Sequence, residues 1–128
     1  MKRRILTQVA LVAAISLGSI GASSEPFVIE GEARVIDGST LEIWGQRIRL
    51  WGVTVAEAET AEGERAAQQL RRLLADVVVR CQKVEEDSLA HLTARCYVGT
   101  IDIAWPMVLM GFAEDDPNQS GGLYSRTN

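Results

Sequence analysis

The sequence predicts a mixed α+β domain, mainly strands with two helices, on three observations. Short runs of alternating apolar and polar residues dominate residues 27–53, the period-two pattern of strands with one buried face. The period becomes helical over residues 60–76. Two further β-rich runs follow, each holding one of the chain's 2 cysteines. The order of three strands, a helix, two strands and a helix is compatible with a small five-stranded Greek-key barrel carrying helices. On periodicity alone, other α+β arrangements fit as well.

Residues 27–36 hold alternating and β-branched side chains, and Asp37-Gly38 reads as a turn. Residues 40–44 and 47–53 then flank Gly45-Gln46 as a tight hairpin. Leu41, Ile43, Ile48 and Leu50 fall on one face, which places Arg49 on the other, open to solvent or ligand. In the helical stretch Ala66, Leu70, Leu73 and Leu74 recur at helical spacing. Glu62 and Glu64 suit the positive end of that helix, and Arg71 and Arg72 lie towards the other. A second, short helix is expected over residues 104–110, ended by Gly111, with Pro106 tolerated only in its first turn.

Cys81 and Cys96 sit in the runs 77–83 and 92–98, separated by a polar segment. A hairpin centred on Ser88-Leu89 sets Cys81 directly opposite Cys96, where a disulfide is geometrically accessible. Closing such a loop contributes about 3 kcal/mol in the chain-entropy model. A buried pair of free thiols and a metal site are the alternatives. Zinc is disfavoured, because the chain has 1 His and no Cys-x-x-Cys.

Residues 1–24 read as an export signal. Lys2-Arg3-Arg4 form a basic start, a mostly apolar run follows to Ala22, and Ala22-Ser23-Ser24 has the small-x-small form that signal peptidase cuts. The competing reading is an uncleaved membrane anchor, for which the run is short and polar. Export places the protein in the periplasm or outside the cell, where a disulfide is the default for an isolated cysteine pair. Residues 25–114 then form one domain and residues 115–128 a polar tail, with the acidic, Pro/Gly/Ser-bearing stretch 114–122 read as a mobile tail or loop. Losing Lys2, Arg3 and Arg4 takes the basic count from 13 to 10 against 17 acids, a net charge of −7. Nucleic-acid binding is therefore expected to be weak or absent, since cationic contacts to phosphate carry it. A local cationic cleft around Arg47 and Arg49 is compatible with that balance.

Residues 31–59, GEARVIDGSTLEIWGQRIRLWGVTVAEAE, together with the amphipathic helix, the paired cysteines and DIAWPMVLMGFA at 102–113, resemble the staphylococcal-nuclease-like (thermonuclease) family. The likeness runs over residues 31–113. It implies a five-stranded OB-type barrel and calcium-dependent hydrolysis of phosphodiesters in DNA and RNA. In such a site carboxylates hold calcium, a Glu assists the attacking water, and two Arg clamp the phosphate. By position, Arg49 matches the first clamping Arg and Glu57 the water-assisting Glu. Asp37 and Thr40 match the ends of the turn that presents the first metal carboxylate, but that position is Ser39. The second metal carboxylate is Thr54, and the second Arg is His91.

Three replacements in three separate motifs imply a degenerate member of the family, acting as a binding or structural module. The alternative is a weak or altered phosphodiesterase using Glu57 and Arg49, with His91 in the second clamp position. No cofactor is expected; calcium is the metal that retained activity would use, with Asp37 as its remaining candidate ligand. Each survivor also has a plain structural reading. Arg49 fits a solvated strand position, Glu57 one more acid ahead of a helix with Glu59, Glu62 and Glu64, Asp37 a turn former, and His91 a solvated hairpin tip. Ser39 has no general base in its motif and is not a nucleophile. The short helix is apolar on nearly every side. Either it is buried all round, or Trp105, Leu109 and Met110 offer a surface to a protein partner.

Overall fold

The computed structural model describes residues 27–86 and 92–125. The expected export segment, the hairpin tip with His91 and the last three residues lie outside the described residues. The fold is mixed α+β and mostly strand. β1 (Val28–Glu32), β2 (Arg34–Asp37), β3 (Thr40–Ile43), β4 (Gln46–Leu50) and β5 (Val53–Thr54) precede α1 (Ala61–Leu74). Then come β6 (Val78–Glu86), β7 (Leu92–Val98), β8 (Ile101–Asp102), α2 (Ala104–Leu109), β9 (Glu114–Asp115) and α3 (Pro117–Ser120).

The main sheet runs in the order β1-β6-β7-β4-β3-β2, with β8 added to β7. β4 and β7 are parallel; the other pairs are antiparallel. β1 and β2, the two ends of this path, are consecutive in the chain and separated by Ala33 alone. This corrects the expectation of a single first strand. Its first half pairs with β6 and its second with β3, so the backbone bends where it changes partner. No ladder joins β1 to β2, so the hydrogen-bonded path is open rather than a closed five-stranded barrel.

The first hairpin turns one residue earlier than expected. Ile43 pairs with Gln46, leaving Trp44 (φ 54°) and Gly45 (φ 78°) as the two central residues. Two positive φ values match the twist of the flanking strands. Side-chain parity is unaffected, so Leu41, Ile43, Ile48 and Leu50 all enter the core and Arg47 and Arg49 point outward.

α1 begins where Thr60 accepts a hydrogen bond from the Gly63 N–H at 3.0 Å, satisfying an otherwise free donor of the first turn. Ala66, Ala67, Leu70 and Leu74 form its buried stripe, packed on the sheet together with Val79, Met107 and the cysteines. α2 ends as expected, with Gly111 at φ 80°, and Pro106 lies in its first turn. Among the described residues no helix is long and apolar enough to cross a membrane.

The second β-hairpin carries the disulfide. Cys81 pairs with Cys96 in register and the two are bonded, with Cα atoms 4.0 Å apart. Towards the tip the register shifts by one between Lys83 and Glu85, a bulge that the alternation of side chains does not announce.

The expectation of a mobile tail or loop over residues 114–122 is corrected, since this stretch holds β9 and α3. Glu114 and Asp115 pair with Thr54 and Val53, α3 makes a third helix, and Tyr124 is fully buried. Its ring meets Trp51 and Trp105 edge-on at 6.2 and 5.4 Å, and its hydroxyl donates to the buried Asp102 carboxylate. Burial, helped by that carboxylate, pushes the Tyr124 hydroxyl above the usual phenol range, so it stays a donor at neutral pH. Asp115 fastens the same segment, accepting from Ser120, Ser125 and the Tyr124 N–H. Burial would raise the Asp115 pKa, but these three hydrogen bonds outweigh it and hold the carboxyl below its ordinary value.

Candidate functional site

The turn from Asp37 to Thr40 is built by its own side chains. Asp37 Oδ1 accepts from the Ser39 N–H at 2.9 Å and from the Ser39 hydroxyl at 3.2 Å, a local closure that competes with strand pairing. The Ser39 carbonyl in turn accepts from the Leu50 N–H at 2.8 Å, tying the turn to the end of β4. Gly38 lets it approach the helix. A Cβ there would lie 2.7 Å from both Ala66 Cβ and Val55 Cγ1. The turn is therefore wedged against α1 and against the residue that follows Thr54.

A cleft of about 360 Å³ opens beside this turn, and Asp37, Ser39, Thr40, Arg47 and Arg49 all line it. Thr40 is directly across the ladder from Arg49, and Glu42 from Arg47. Thr54 lies elsewhere, in a larger cavity of about 480 Å³ lined also by Val55, Ala56, Glu62, Arg65 and Glu114. Glu57 lines neither of these two cavities. Its side chain is exposed, and its carbonyl oxygen accepts from the Thr60 N–H and hydroxyl at 3.0 and 2.7 Å.

The structure thus brings together Asp37, Ser39, Thr40 and Arg49 and leaves Thr54 and Glu57 on an adjoining segment. Sequence reasoning missed Glu62, Arg65 and Glu114 as cavity residues. Glu114 reaches Thr54 only through the β5–β9 ladder, a pairing of two-residue strands with no periodic signature.

Gly63 fixes where Glu57 sits. A Cβ on Gly63 would fall 1.9 Å from the Glu57 carbonyl oxygen, so α1 and the Glu57 segment touch backbone to backbone. In an ordinary helix Gly→Ala would stabilise by about 1 kcal/mol. Here Gly63→Ala is expected to destabilise by about 2 kcal/mol, because overpacking of this kind exceeds the propensity gain. Urea denaturation of the two proteins checks the sign.

The acidic and hydroxyl groups of the cleft do not fit calcium. That ion takes roughly six to eight oxygen ligands, preferably carboxylate. Asp37 Oδ1 is committed to the turn, and the neighbouring oxygens are hydroxyls. Among the described residues no group of three or more His, Cys, Asp or Glu could hold a metal ion.

The surface read from the short helix divides in two. Trp105 is half-buried against Tyr124, and Met107 and Val108 are buried. Leu109 and Met110 remain 53% and 46% exposed, and Met110 Sδ accepts from Gln69 Nε2 at 3.5 Å. No protein-family model matches the chain, and a search of curated proteins finds no significant relative.

Proposed function

We propose that this chain is a divergent, exported member of the staphylococcal-nuclease-like family whose hydrolytic site has decayed into a binding module. The observation that carries this reading is the Asp37–Thr40 turn, wedged through Gly38 against Val55 and α1. That wedging brings the turn against Val55, the residue after Thr54, and at Ser39 and Thr54, the two positions that would present metal carboxylates, the chain carries hydroxyls instead. An OB-type barrel is part of the same proposal. Its support is the mixed sheet with parallel β4 and β7 and the covalent continuity of β1 and β2 across Ala33 at the two ends of the strand path. Export is supported by the basic-then-apolar start of the sequence and by the Cys81–Cys96 disulfide.

Calcium would supply Lewis-acid activation of a phosphodiester, and the available oxygens suit that role poorly. The mature, oxidised protein is expected to cleave neither single-stranded DNA nor RNA in calcium, and calcium is expected to leave its melting temperature unchanged. Chelator-sensitive cleavage that disappears in Glu57→Gln would overturn the reading and restore an enzyme.

A further inference from the structure

The cavity of about 480 Å³ that holds Thr54 lies between the start of α1 and the segment linking α2 to β9. A second cavity, of about 300 Å³, adjoins it, since Gly111, Ala113 and Glu114 line both. Val55, Phe112 and Ala113 give the first apolar walls, and Val108 and Tyr124 do so for the second. Met110 borders this groove, nearly half exposed, its Sδ against Gln69 one helical turn past Arg65. The β5–β9 ladder ends at Thr54 and Glu114, so Val55 and Ala56 run on beyond it along the cavity wall. The rim of this apolar groove is acidic. Glu62 and Glu114 line the first cavity, and Glu57 and Glu59 are exposed on the chain that continues from Ala56. Arg65 is the one cation lining either cavity. Its contact to Glu62, at 3.5 Å, joins two side chains that are both mostly exposed, a weak pair that another cation can exchange.

We propose that this groove docks an extended peptide segment of another protein, in which Lys or Arg alternates with Leu, Met or Phe every second residue. The cationic head takes its place between Glu62 and Glu114 and displaces Arg65 from Glu62. The stem of that residue and its apolar neighbour cover Phe112 and Met110. Two adjoining cavities suit the side chains that an extended segment projects to one face. The acidic rim selects a basic peptide and repels phosphate-bearing partners. Of the positions aligned with a hydrolytic site, the groove includes Thr54 alone. The inference rests on the reading of the chain as a binding module, and it names the partner class of that module.

The test is an NMR titration of the oxidised protein with the capped peptide Lys-Ser-Leu-Ser-Lys-Ser-Leu. Saturable shifts of the Thr54, Ala56, Phe112, Ala113 and Glu114 amides are expected. A peptide with Ser for each Leu should bind about tenfold more weakly, the scale of one apolar side chain left uncovered. One with Glu for each Lys should give no saturable shifts. Glu114→Gln should weaken binding about fivefold, the upper scale of an exposed ion pair, and Arg65→Gln should tighten it by removing the competing cation. The absence of saturable shifts, shifts spread over acids far from the groove, or equal binding of the Glu-bearing peptide would overturn the proposal. So would concentration-dependent shifts of the same amides without peptide, which would make the occupant a second copy of the chain. Failure here with no nuclease activity leaves the decayed-nuclease reading standing; calcium-dependent cleavage sinks that reading whatever the peptide does.

Discussion

Replacing Tyr124 by alanine is expected to lower stability by about 4 kcal/mol, within the range for deleting a fully buried aromatic side chain. For a domain of this size that corresponds to a fall of roughly 15–25 °C in melting temperature. The ring is fully buried and is wedged edge-on between Trp51 and Trp105, so its removal leaves a cavity bounded by two large groups. Gly52 confirms the tightness of the fit, since a Cβ there would lie 2.6 Å from the Tyr124 ring. The loss also propagates. Without the ring the segment 114–125 keeps the β9 pairing, the Asp116 N–H donating to the Gly52 carbonyl and the Gln119 side chain accepting from the Gly52 N–H, while the Asp115 hydrogen bonds only brace the segment internally.

Tyr124→Phe separates packing from polarity. It keeps the ring and removes the donor to Asp102, a carboxylate that still accepts from Arg95 and from the Ala104 N–H. A cost of about 1 kcal/mol is expected, that of one hydrogen bond whose acceptor retains other partners. Urea denaturation of both variants checks the pair. Equal losses would mean that the hydroxyl network, and not the ring, holds the C-terminal segment.

The same residue shows why part of the fold was legible in the sequence and part was not. The paired faces of β3 and β4 follow from Leu41, Ile43, Ile48 and Leu50 at period two, and slipping the turn by one residue did not disturb them. α1 follows from its stripe and from Thr60. The segment after Ala113 carries one large apolar group in the core, Tyr124, among acids, Gly and Ser. A single anchor has no period, and its tertiary partners Trp51, Trp105 and Asp102 are 73, 19 and 22 positions away. The split at Ala33 was hidden for a related reason: residues 27–36 keep strand character on both sides of it, and only the change of pairing partner bends them.

The candidate site divides along the same line. Arg49 and the Asp37–Thr40 turn are adjacent because a single hairpin joins them, and that proximity was readable from alternation. That Gly63 bears on the Glu57 carbonyl, and that Glu42 is withdrawn from Arg47 by Arg34, are three-dimensional facts. They depend on how α1 docks and on which of two opposed side chains the Glu reaches.

Removing the disulfide is the other large effect. The double substitution of Cys81 and Cys96 by alanine is expected to cost about 3 kcal/mol, the loop-closure term for a loop of this length, against a sequence separation of 15. Both sulfurs are buried in the core beside Val79 and Leu70, so the lost packing adds to that figure. The β6–β7 register survives in the folded state, because the strands retain backbone pairing on both sides of the bridge. The penalty therefore falls mainly on the unfolded chain, which regains the freedom of the closed loop. Two measurements separate the contributions. Reduction of the native protein reports loop closure with the sulfur atoms still present, and the double alanine variant adds the packing loss. A reduced protein as stable as the oxidised one would show that pairing of β6 with β7, and not the covalent bridge, already restricts the unfolded ensemble.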